Sequence, residues 1–289
     1  MSPHVHERPG PVDAPAGCQM PGLGAVASTL LIPLAARAGG DALFPEVAAG
    51  DRHAARLMQA LGAEVQPFLA DRPTLYGVLA RTRAFRAQAE AFLDAHPRAL
   101  GVSLGCGLAH YFQWLDRGRN RWIDADLPEV IALRETLLPS QPRRRNCGID
   151  LARPGWWRAL GLPERAKHAA PLLLVCEGVL MYLSPAQVQA LMDEVGEHAP
   201  PGSLLLFDFI CAMAVGHAQW HPSVRRTGAQ FRWGVRRSDE LAALHPRLVF
   251  EAEHRVMQGY GWPYTTLDPF FRWCFGVPLY GIARLRVGP

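Results

Sequence analysis

Two glycines and two aspartates near the middle of the chain have the spacing of a nucleoside-binding site. Gly105 and Gly107 end a short apolar run, and Asp124 and Asp126 follow about twenty positions later. Glycines after a strand let a ligand approach the backbone, and a carboxylate at that distance accepts hydrogen bonds from ribose hydroxyls. The pattern therefore predicts a βαβ unit that binds a nucleoside.

His110 indicates which kind of nucleoside the loop fits. A dinucleotide fingerprint of the G-x-G-x-x-G type has Gly or Ala at this position, which brings the helix close to the strand beside the pyrophosphate. This chain has His110 there, and a nucleoside without phosphates does not impose the requirement. S-adenosylmethionine is such a ligand, so the loop fits it better than NAD.

Four further residues stand where this ligand would need them. Asp150 follows a predicted strand and could accept a hydrogen bond from the adenine amino group, with Leu151 against the ring. Glu177 ends the central strand, where the methionine amino group or the methyl acceptor would lie. Arg81, on the helix before the loop, can pair with the methionine carboxylate. The ordered set predicts S-adenosylmethionine binding more specifically than the glycines alone.

The elements that must position these residues are short buried strands separated by helices. The apolar runs are 99–104, 121–125, 171–176 and 203–210. Because helical patterns separate them, they predict the parallel strands of a doubly wound α/β sheet. Alternating runs at 248–256 and 280–287 predict antiparallel strands at one end. Ser184, Pro185 and Gln187 have the pattern of a capping box and predict the start of one helix.

The flanking regions have a different character. Residues 1–24 are rich in Pro and Gly without periodicity, which predicts a mobile arm. Residues 25–97 show helical spacing and predict a helical cap, followed by the cofactor-binding core at 98–210. Residues 211–289 are expected to form a lid and the terminal strands, so residues 25–289 make a single domain. More than half of the aromatic residues lie between 207 and 280, where they could line an acceptor pocket or form a small core of the lid.

At these residues the chain resembles the leucine carboxyl methyltransferase and tetracenomycin-type polyketide O-methyltransferase family of class I S-adenosylmethionine enzymes. The resemblance covers roughly residues 25–210 and rests on 29–38, 80–83, 102–107, 123–130, 148–151 and 176–183. It implies a mostly parallel seven-stranded Rossmann-like methyltransferase fold that binds S-adenosyl-L-methionine.

The resemblance also implies roles for particular residues. Arg81 would hold the donor's carboxylate, Gly105 in its loop with Gly107 would line the methionine end, and Asp126 would bind the ribose. Asp150 and Leu151 would flank adenine, and Glu177 would complete the donor site. The resemblance further makes Tyr182 a candidate for contact with the substrate.

Other partners and sites are not expected. A net charge of +4 is too weak to predict nucleic acid as the main partner. The apolar stretch at 23–36 contains Pro33 and is too short to span a membrane. Six cysteines without a C-x-x-C pair predict free thiols in a reducing cytoplasm. Asp124 and Asp126 lack the further ligands of a magnesium site, so no metal is predicted.

The identity of the methyl acceptor stays open. A carboxylate is ionised at neutral pH and needs no general base, whereas a phenol or enol would benefit from one. No base stands out in the sequence, which favours the carboxylate of a small organic acid or polyketide-like metabolite. Five lid arginines could draw in an anionic acceptor or simply keep the lid soluble, and they are Arg225, Arg226, Arg232, Arg236 and Arg237. An NAD(P)-dependent oxidoreductase, and a protein that binds the donor without turnover, remain the alternatives of other classes.

Overall fold

A computed structural model describes residues 23–166 and 169–289. The strands are β1 (Leu100–Leu104), β2 (Arg121–Asp126), β3 (Arg144–Gly148), β4 (Leu173–Cys176), β5 (Leu204–Ile210), β6 (Leu248–Arg255) and β7 (Tyr280–Val287). The helices are α1 (Leu31–Gly39), α2 (Ala54–Leu61), α3 (Arg72–Ala95), α4 (Phe112–Leu115), α5 (Pro128–Leu137), α6 (Trp156–Ala159), α7 (Pro185–His198), α8 (Val224–Thr227), α9 (Ser238–Ala242) and α10 (Tyr264–Phe275). None of these described helices is both long and apolar enough to cross a membrane. The predicted mobile arm falls almost entirely outside the described residues.

The seven strands form one sheet in the order β3-β2-β1-β4-β5-β7-β6. Strands β1 to β5 run parallel to one another, and β7 is antiparallel to both of its neighbours. The winding changes direction between β1 and β4, and ligands of open α/β sheets bind beyond the carboxyl ends of strands at such a point. The predicted doubly wound, mostly parallel seven-stranded sheet is confirmed.

The central strands are covered on both faces. Every residue of β4 and β5 is buried, which is typical of parallel strands with helices on both sides. Asp208 differs from the other residues of β5, which are apolar, because it is a fully buried carboxylate. Strand β3, in contrast, lies at one edge of the sheet and is built largely of polar residues.

Helix α3 attaches the N-terminal helices to the sheet. It has 24 residues, and Asp71 caps it by accepting a hydrogen bond from the Thr74 N–H at 3.4 Å. Pro73 stands in the first turn, where its missing N–H has no helical partner to lose. Buried side chains occur throughout the helix, and they pack against α1 and against β4 and β5. This packing carries Arg81 to the carboxyl ends of the strands.

The C-terminal aromatic residues divide between two environments. Phe231, Tyr264 and Tyr280 line the cavity described below. Trp262 and Trp273 are instead more than four-fifths exposed. The aromatic residues of this region thus contribute in part to a pocket and in part to the surface. Strands β6 and β7 pair antiparallel, as predicted.

Helix α7 begins as its sequence predicts. The Ser184 hydroxyl accepts a hydrogen bond from the Gln187 N–H at 3.3 Å, and the Gln187 side chain accepts one from the Ser184 N–H at 2.8 Å. This reciprocal arrangement satisfies two N–H groups that the helix itself leaves without partners. It fixes the start of α7 directly after the segment that carries Glu177 and Tyr182.

Replacing Ser184 by alanine is expected to lower the free energy of unfolding by about 0.5–2 kcal/mol, because the Gln187 N–H loses its acceptor. Urea denaturation measures the loss. Ser184→Thr keeps the hydroxyl oxygen and should retain most of the stability. Equal midpoints for Ser184→Ala and the parent protein would show that the capping box contributes nothing measurable.

Candidate active site

A cavity of about 590 Å³ lies beyond the carboxyl ends of the parallel strands. Its wall contains all seven residues predicted to hold S-adenosylmethionine, namely Arg81, Gly105, Gly107, Asp126, Asp150, Leu151 and Glu177. Tyr182 also lines it. The structure therefore brings every predicted site residue to one space, while their individual roles as ligands stay predictions.

Gly105 and Gly107 shape the loop that follows β1. Their φ angles are +69° and +47°, a backbone region that residues with side chains rarely adopt. A Cβ on Gly105 would also collide with the side chain of Val179, which forms part of the cavity wall. The turn and the space in front of it therefore both require glycine at position 105.

Asp126, the last residue of β2, faces this loop. Its Oδ2 accepts a hydrogen bond from the Gly107 N–H at 2.7 Å, and its Oδ1 accepts one from the Leu127 N–H at 2.7 Å. Burial raises the pKa of Asp126, and the two backbone N–H groups oppose that shift. Each carboxylate oxygen keeps a second lone pair, so Asp126 can still accept hydrogen bonds from hydroxyl groups in the cavity.

Asp124 has a different task, because it lies behind the loop and does not line the cavity. Its Oδ2 accepts hydrogen bonds from Arg134 at 2.7 Å and from Arg144 at 2.8 Å, and all three side chains are almost fully buried. Arg134 also donates to the carbonyl oxygens of Gly107 at 2.7 Å and Ala109 at 2.6 Å. The buried ion pair thus supports the glycine loop from below. Sequence reasoning missed Arg134, since no local pattern marks it as a partner of the loop.

Asp150 and Leu151 lie just beyond the carboxyl end of β3. The Asp150 Oδ1 accepts a hydrogen bond from the Ala152 N–H at 2.9 Å, and its Oδ2 lies 3.2 Å from Nε of the exposed Arg153. Leu151 is buried and presents an apolar surface to the cavity. A carboxylate beside an apolar side chain is an arrangement that fits the amino group and the face of a purine ring.

Arg81 is at the centre of the charged wall of the cavity. Its Nε donates to Glu177 Oε1 at 2.7 Å, and its Nη1 donates to Asp208 Oδ2 at 3.0 Å and to the Tyr280 hydroxyl at 2.6 Å. Nη2 makes no hydrogen bond to any residue that the structure describes. One cation therefore links helix α3 to the ends of β4, β5 and β7 and keeps one nitrogen for a ligand.

Glu177 has three hydrogen-bond donors within the protein. Besides Arg81, the Thr82 hydroxyl donates to Oε1 at 2.9 Å and the Tyr111 hydroxyl donates to Oε2. Burial alone would raise the pKa of Glu177, but the charge of Arg81 and the hydrogen bond from Tyr111 bring it below its ordinary value. Glu177 is therefore an anion at neutral pH.

Asp208 gives this group a second carboxylate. Burial raises the pKa of Asp208, and the charge of Arg81 partly opposes the shift. When both carboxylates are ionised, Glu177 and Asp208 together carry one negative charge more than Arg81 neutralises. A ligand with a positive charge would balance this excess.

Sequence reasoning missed Asp208 and Tyr280. A signal for Asp208 was present, because a charged residue inside the apolar run 204–210 must have a buried partner. Tyr280 and Tyr111 carried no such signal. Their partners Arg81 and Glu177 are far away in the sequence, and only the folded chain brings them together.

His110 lies in the interior, away from the cavity. It is fully buried, and its ring is 5.0 Å from that of His53 in an edge-on arrangement. Burial lowers the pKa of His110 to about 3, so the ring is neutral at physiological pH. The bulky side chain at this position therefore packs in the core, and the loop turns without the third glycine of a dinucleotide site.

A second part of the cavity wall comes from the helical cap and the C-terminal region. The Phe231 ring lies 5.9 Å from that of Tyr182 and 6.1 Å from that of His221, so the three form a continuous surface. Burial raises the pKa of Tyr182 to about 12, and its hydroxyl therefore stays protonated at neutral pH. Of the five lid arginines, Arg232 is the one among the cavity-lining residues.

Comparisons with known proteins agree with the fold. The family model for leucine carboxyl methyltransferase matches residues 24–196. The chain is 30% identical over 263 residues to the tetracenomycin polyketide synthesis O-methyltransferase TcmP of Streptomyces glaucescens, covering 90% of this chain and 93% of TcmP. It is 27% identical over 261 residues to the S-adenosyl-L-methionine-dependent methyltransferase dpfgK of Gibberella zeae, covering 80% and 83%. A candidate methyltransferase of known structure from Thermobifida fusca shares the fold, with a TM-score of 0.53 at 17% identity over 88% and 94% of the two chains.

Replacing Arg134 by methionine is expected to lower the free energy of unfolding by about 1.5–3 kcal/mol, because the buried Asp124 carboxylate keeps only Arg144 as a cationic partner among the described residues and the Gly107 and Ala109 carbonyl oxygens lose their donor. Arg158→Met is the matched control. Arg158 is 80% exposed in its side chain, so its loss should change stability by less than about 0.5 kcal/mol. Urea denaturation of both variants measures the difference, and similar midpoints would show that the buried pair is not required.

Proposed function

Because the chain belongs to the leucine carboxyl methyltransferase family and is an S-adenosylmethionine-dependent methyltransferase, we propose that it methylates the carboxylate of a small organic acid. Family membership decides against the alternative of a nicotinamide-dependent oxidoreductase. What the family leaves open is the acceptor, which the geometry of the cavity helps to define.

The residues at the carboxyl ends of the strands fit the donor. Asp126 would accept hydrogen bonds from the ribose hydroxyls, and Asp150 with Leu151 would hold the adenine. The free Nη2 of Arg81 would bind the carboxylate of the methionine moiety. When both carboxylates are ionised, the excess negative charge of Glu177 and Asp208 complements the positive charge of a sulfonium and an ammonium group. When bound, S-adenosylmethionine supplies a methyl group activated by its sulfonium.

The carboxylate assignment rests on the groups in the described cavity that could act as a general base. Their hydrogen bonds and protonation states leave none of them prepared to accept a proton from the substrate. Among the described lining residues, the carboxylates Glu177, Asp126 and Asp150 each accept hydrogen bonds within the protein and lie at the carboxyl ends of the strands, where the donor is proposed to bind. His221 accepts the Val224 N–H on Nδ1 at 3.3 Å, so the lone pair with which it would take a proton is in use. Burial raises the pKa of the Tyr182 hydroxyl, which excludes a phenolate as base at neutral pH.

A carboxylate acceptor is consistent with this arrangement. It is already ionised at neutral pH, so the protein has to align it with the donor and exclude water. A phenol would have to lose its proton during the reaction, and the described cavity offers no group prepared to receive it. Arg232 adds a positive charge to the wall, which favours an anionic acceptor over a neutral one.

The division of the chain follows from this proposal. Residues 98–210 would hold the donor, and residues 25–97 and 211–289 would enclose the acceptor as cap and lid. The apolar surfaces of Phe231, Val78 and Met257 would contact the body of the acid. We therefore expect an acid with an apolar carbon skeleton.

Asp126→Ala is expected to weaken the binding of S-adenosylhomocysteine by about ten-fold or more, because the ribose loses a charged hydrogen-bond acceptor. Isothermal titration calorimetry measures the dissociation constant. Asp239→Ala, which removes a surface carboxylate paired with Arg237, should bind like the parent protein. Unchanged binding in Asp126→Ala would place the nucleoside elsewhere.

The acceptor class can be read from the product and from the pH profile. The protein should convert an aryl carboxylic acid to a methyl ester, which mass spectrometry detects and alkali hydrolyses. Because the acceptor is ionised well below neutrality, kcat/KM should be nearly constant between about pH 6 and 8. An alkali-stable methyl ether, formed at a rate that rises with pH, would contradict the carboxylate assignment.

A further inference from the structure

His221 faces the cavity at the side formed by the cap and the C-terminal region. It follows a short 3-10 turn that ends at Trp220, and its ring packs edge-on against Phe231. The Thr74 hydroxyl oxygen, at the start of α3, lies 3.5 Å from Nε2.

The hydrogen bonds of the ring identify its tautomer. The Val224 N–H lies 3.3 Å from Nδ1 and is directed at it, from which we infer that Nδ1 is the unprotonated nitrogen. Burial lowers the pKa of His221, with Asp71 opposing the shift, and the ring is therefore neutral at pH 7. A neutral imidazole with a bare Nδ1 carries its proton on Nε2. His221 thus presents a hydrogen-bond donor at Nε2.

Among the residues that the structure describes, the Nε2–H of His221 has only a weak hydrogen-bond acceptor, the Thr74 hydroxyl. The Thr74 hydroxyl gives its own proton to Asp71 Oδ2 at 2.7 Å, and the Ser223 hydroxyl donates to the same oxygen at 2.7 Å. Thr74 can therefore only accept from Nε2, and it does so at a distance longer than the usual 2.7–3.2 Å. A better acceptor in the cavity would take over the Nε2 proton.

We propose that His221 is the acceptor-binding residue, and that its Nε2–H donates to one oxygen of the substrate carboxylate while the other oxygen receives the methyl group. The inference rests on the proposed carboxyl methylation and adds the residue that selects for it. Phe231 and Tyr182 form the surface beside His221 along which the apolar body of the acid lies.

The arrangement favours an acid over a phenol for a simple reason. A carboxylate accepts a hydrogen bond on one oxygen and keeps a second oxygen as nucleophile. A phenol has a single oxygen, so a donor bound to it would reduce the nucleophilicity that methyl transfer needs. Because His221 is a hydrogen-bond donor, it would favour methylation of a carboxylate and disfavour methylation of a phenol.

The experiment compares 1-naphthoic acid and 1-naphthol as acceptors for the parent protein, His221→Leu and His221→Gln. His217→Leu is the matched control, because His217 lies four positions earlier on the chain and is not among the lining residues. His221→Leu should raise KM for the acid about ten- to one-hundred-fold, since a hydrogen bond to a charged group is lost, with a smaller change in kcat. His221→Gln keeps an N–H donor and should recover part of the affinity.

Two further measurements separate binding from folding. S-adenosylhomocysteine should bind His221→Leu as tightly as it binds the parent protein, which shows that the donor half is intact. In the parent protein saturated with S-adenosylhomocysteine, long-range proton–nitrogen NMR should show an unprotonated Nδ1, and 1-naphthoate should shift the His221 Nε2–H resonance downfield.

The outcomes distinguish the inference from the proposed function. If the parent protein esterifies the acid and His221→Leu has the same KM as His217→Leu, the role of His221 is overturned and carboxyl methylation stands. A proton on Nδ1 in the NMR spectrum would also overturn the inference alone. If the parent protein methylates only the naphthol, the proposed function and the inference both fail.

Discussion

The structure depends on a buried ion pair that joins the helical cap to the sheet. Arg81 of α3 reaches Glu177 after β4, Asp208 on β5 and Tyr280 on β7. Breaking a buried pair of this kind leaves an uncompensated charge in a medium of low dielectric, so the positions of the cap and the strands are coupled. The same interaction forms one wall of the cavity. The cap cannot move away from the sheet without disrupting the site.

A second constraint is the glycine loop, which two aspartates of one strand hold from different sides. Asp126 ends β2 and bonds to the Gly107 N–H, whereas Asp124 lies deeper in the sheet and orients Arg134 toward the Gly107 carbonyl. The Gly107 N–H is thus satisfied by Asp126, and the Gly107 carbonyl oxygen is satisfied by Arg134, the partner of Asp124. Both carboxylates lie on the same face of β2. Asp126, at the end of the strand, borders the cavity, whereas Asp124, two residues earlier, lies in the interior. Their spacing therefore serves the glycine loop.

Much of the fold could be predicted because the buried parallel strands are continuous apolar runs. Strands β4 and β5 are examples, since every one of their residues is buried. The predicted donor residues came together for the same reason, because the carboxyl ends of neighbouring parallel strands meet at one edge. Strand β3 is polar and lies at the edge of the sheet, so only Asp150 after it revealed its position.

The rest could not be predicted because it depends on contacts between distant residues. Asp208 meets Arg81 across 127 positions, and Tyr280 meets it across 199. His221 is a similar case, since its proposed role depends on Thr74, which is 147 positions away. In the C-terminal region the aromatic residues follow no clear period, so the sequence does not distinguish Phe231 in the cavity from Trp273 at the surface.

Helix α3 relates the two halves of the cavity to each other. Thr74, Gly77, Val78 and Arg81 all line the cavity, at the spacing of one face of a helix. Thr74 supports the proposed acceptor residue and Arg81 belongs to the proposed donor side, and seven residues of helix separate them by about 10 Å. Because Asp71 both caps this helix and accepts the Thr74 and Ser223 hydroxyls, the start of the helix is fixed relative to His221. A rigid helix anchored at the sheet by Arg81 and at its first turn by Asp71 therefore sets the distance between the proposed acceptor residue and the proposed donor site.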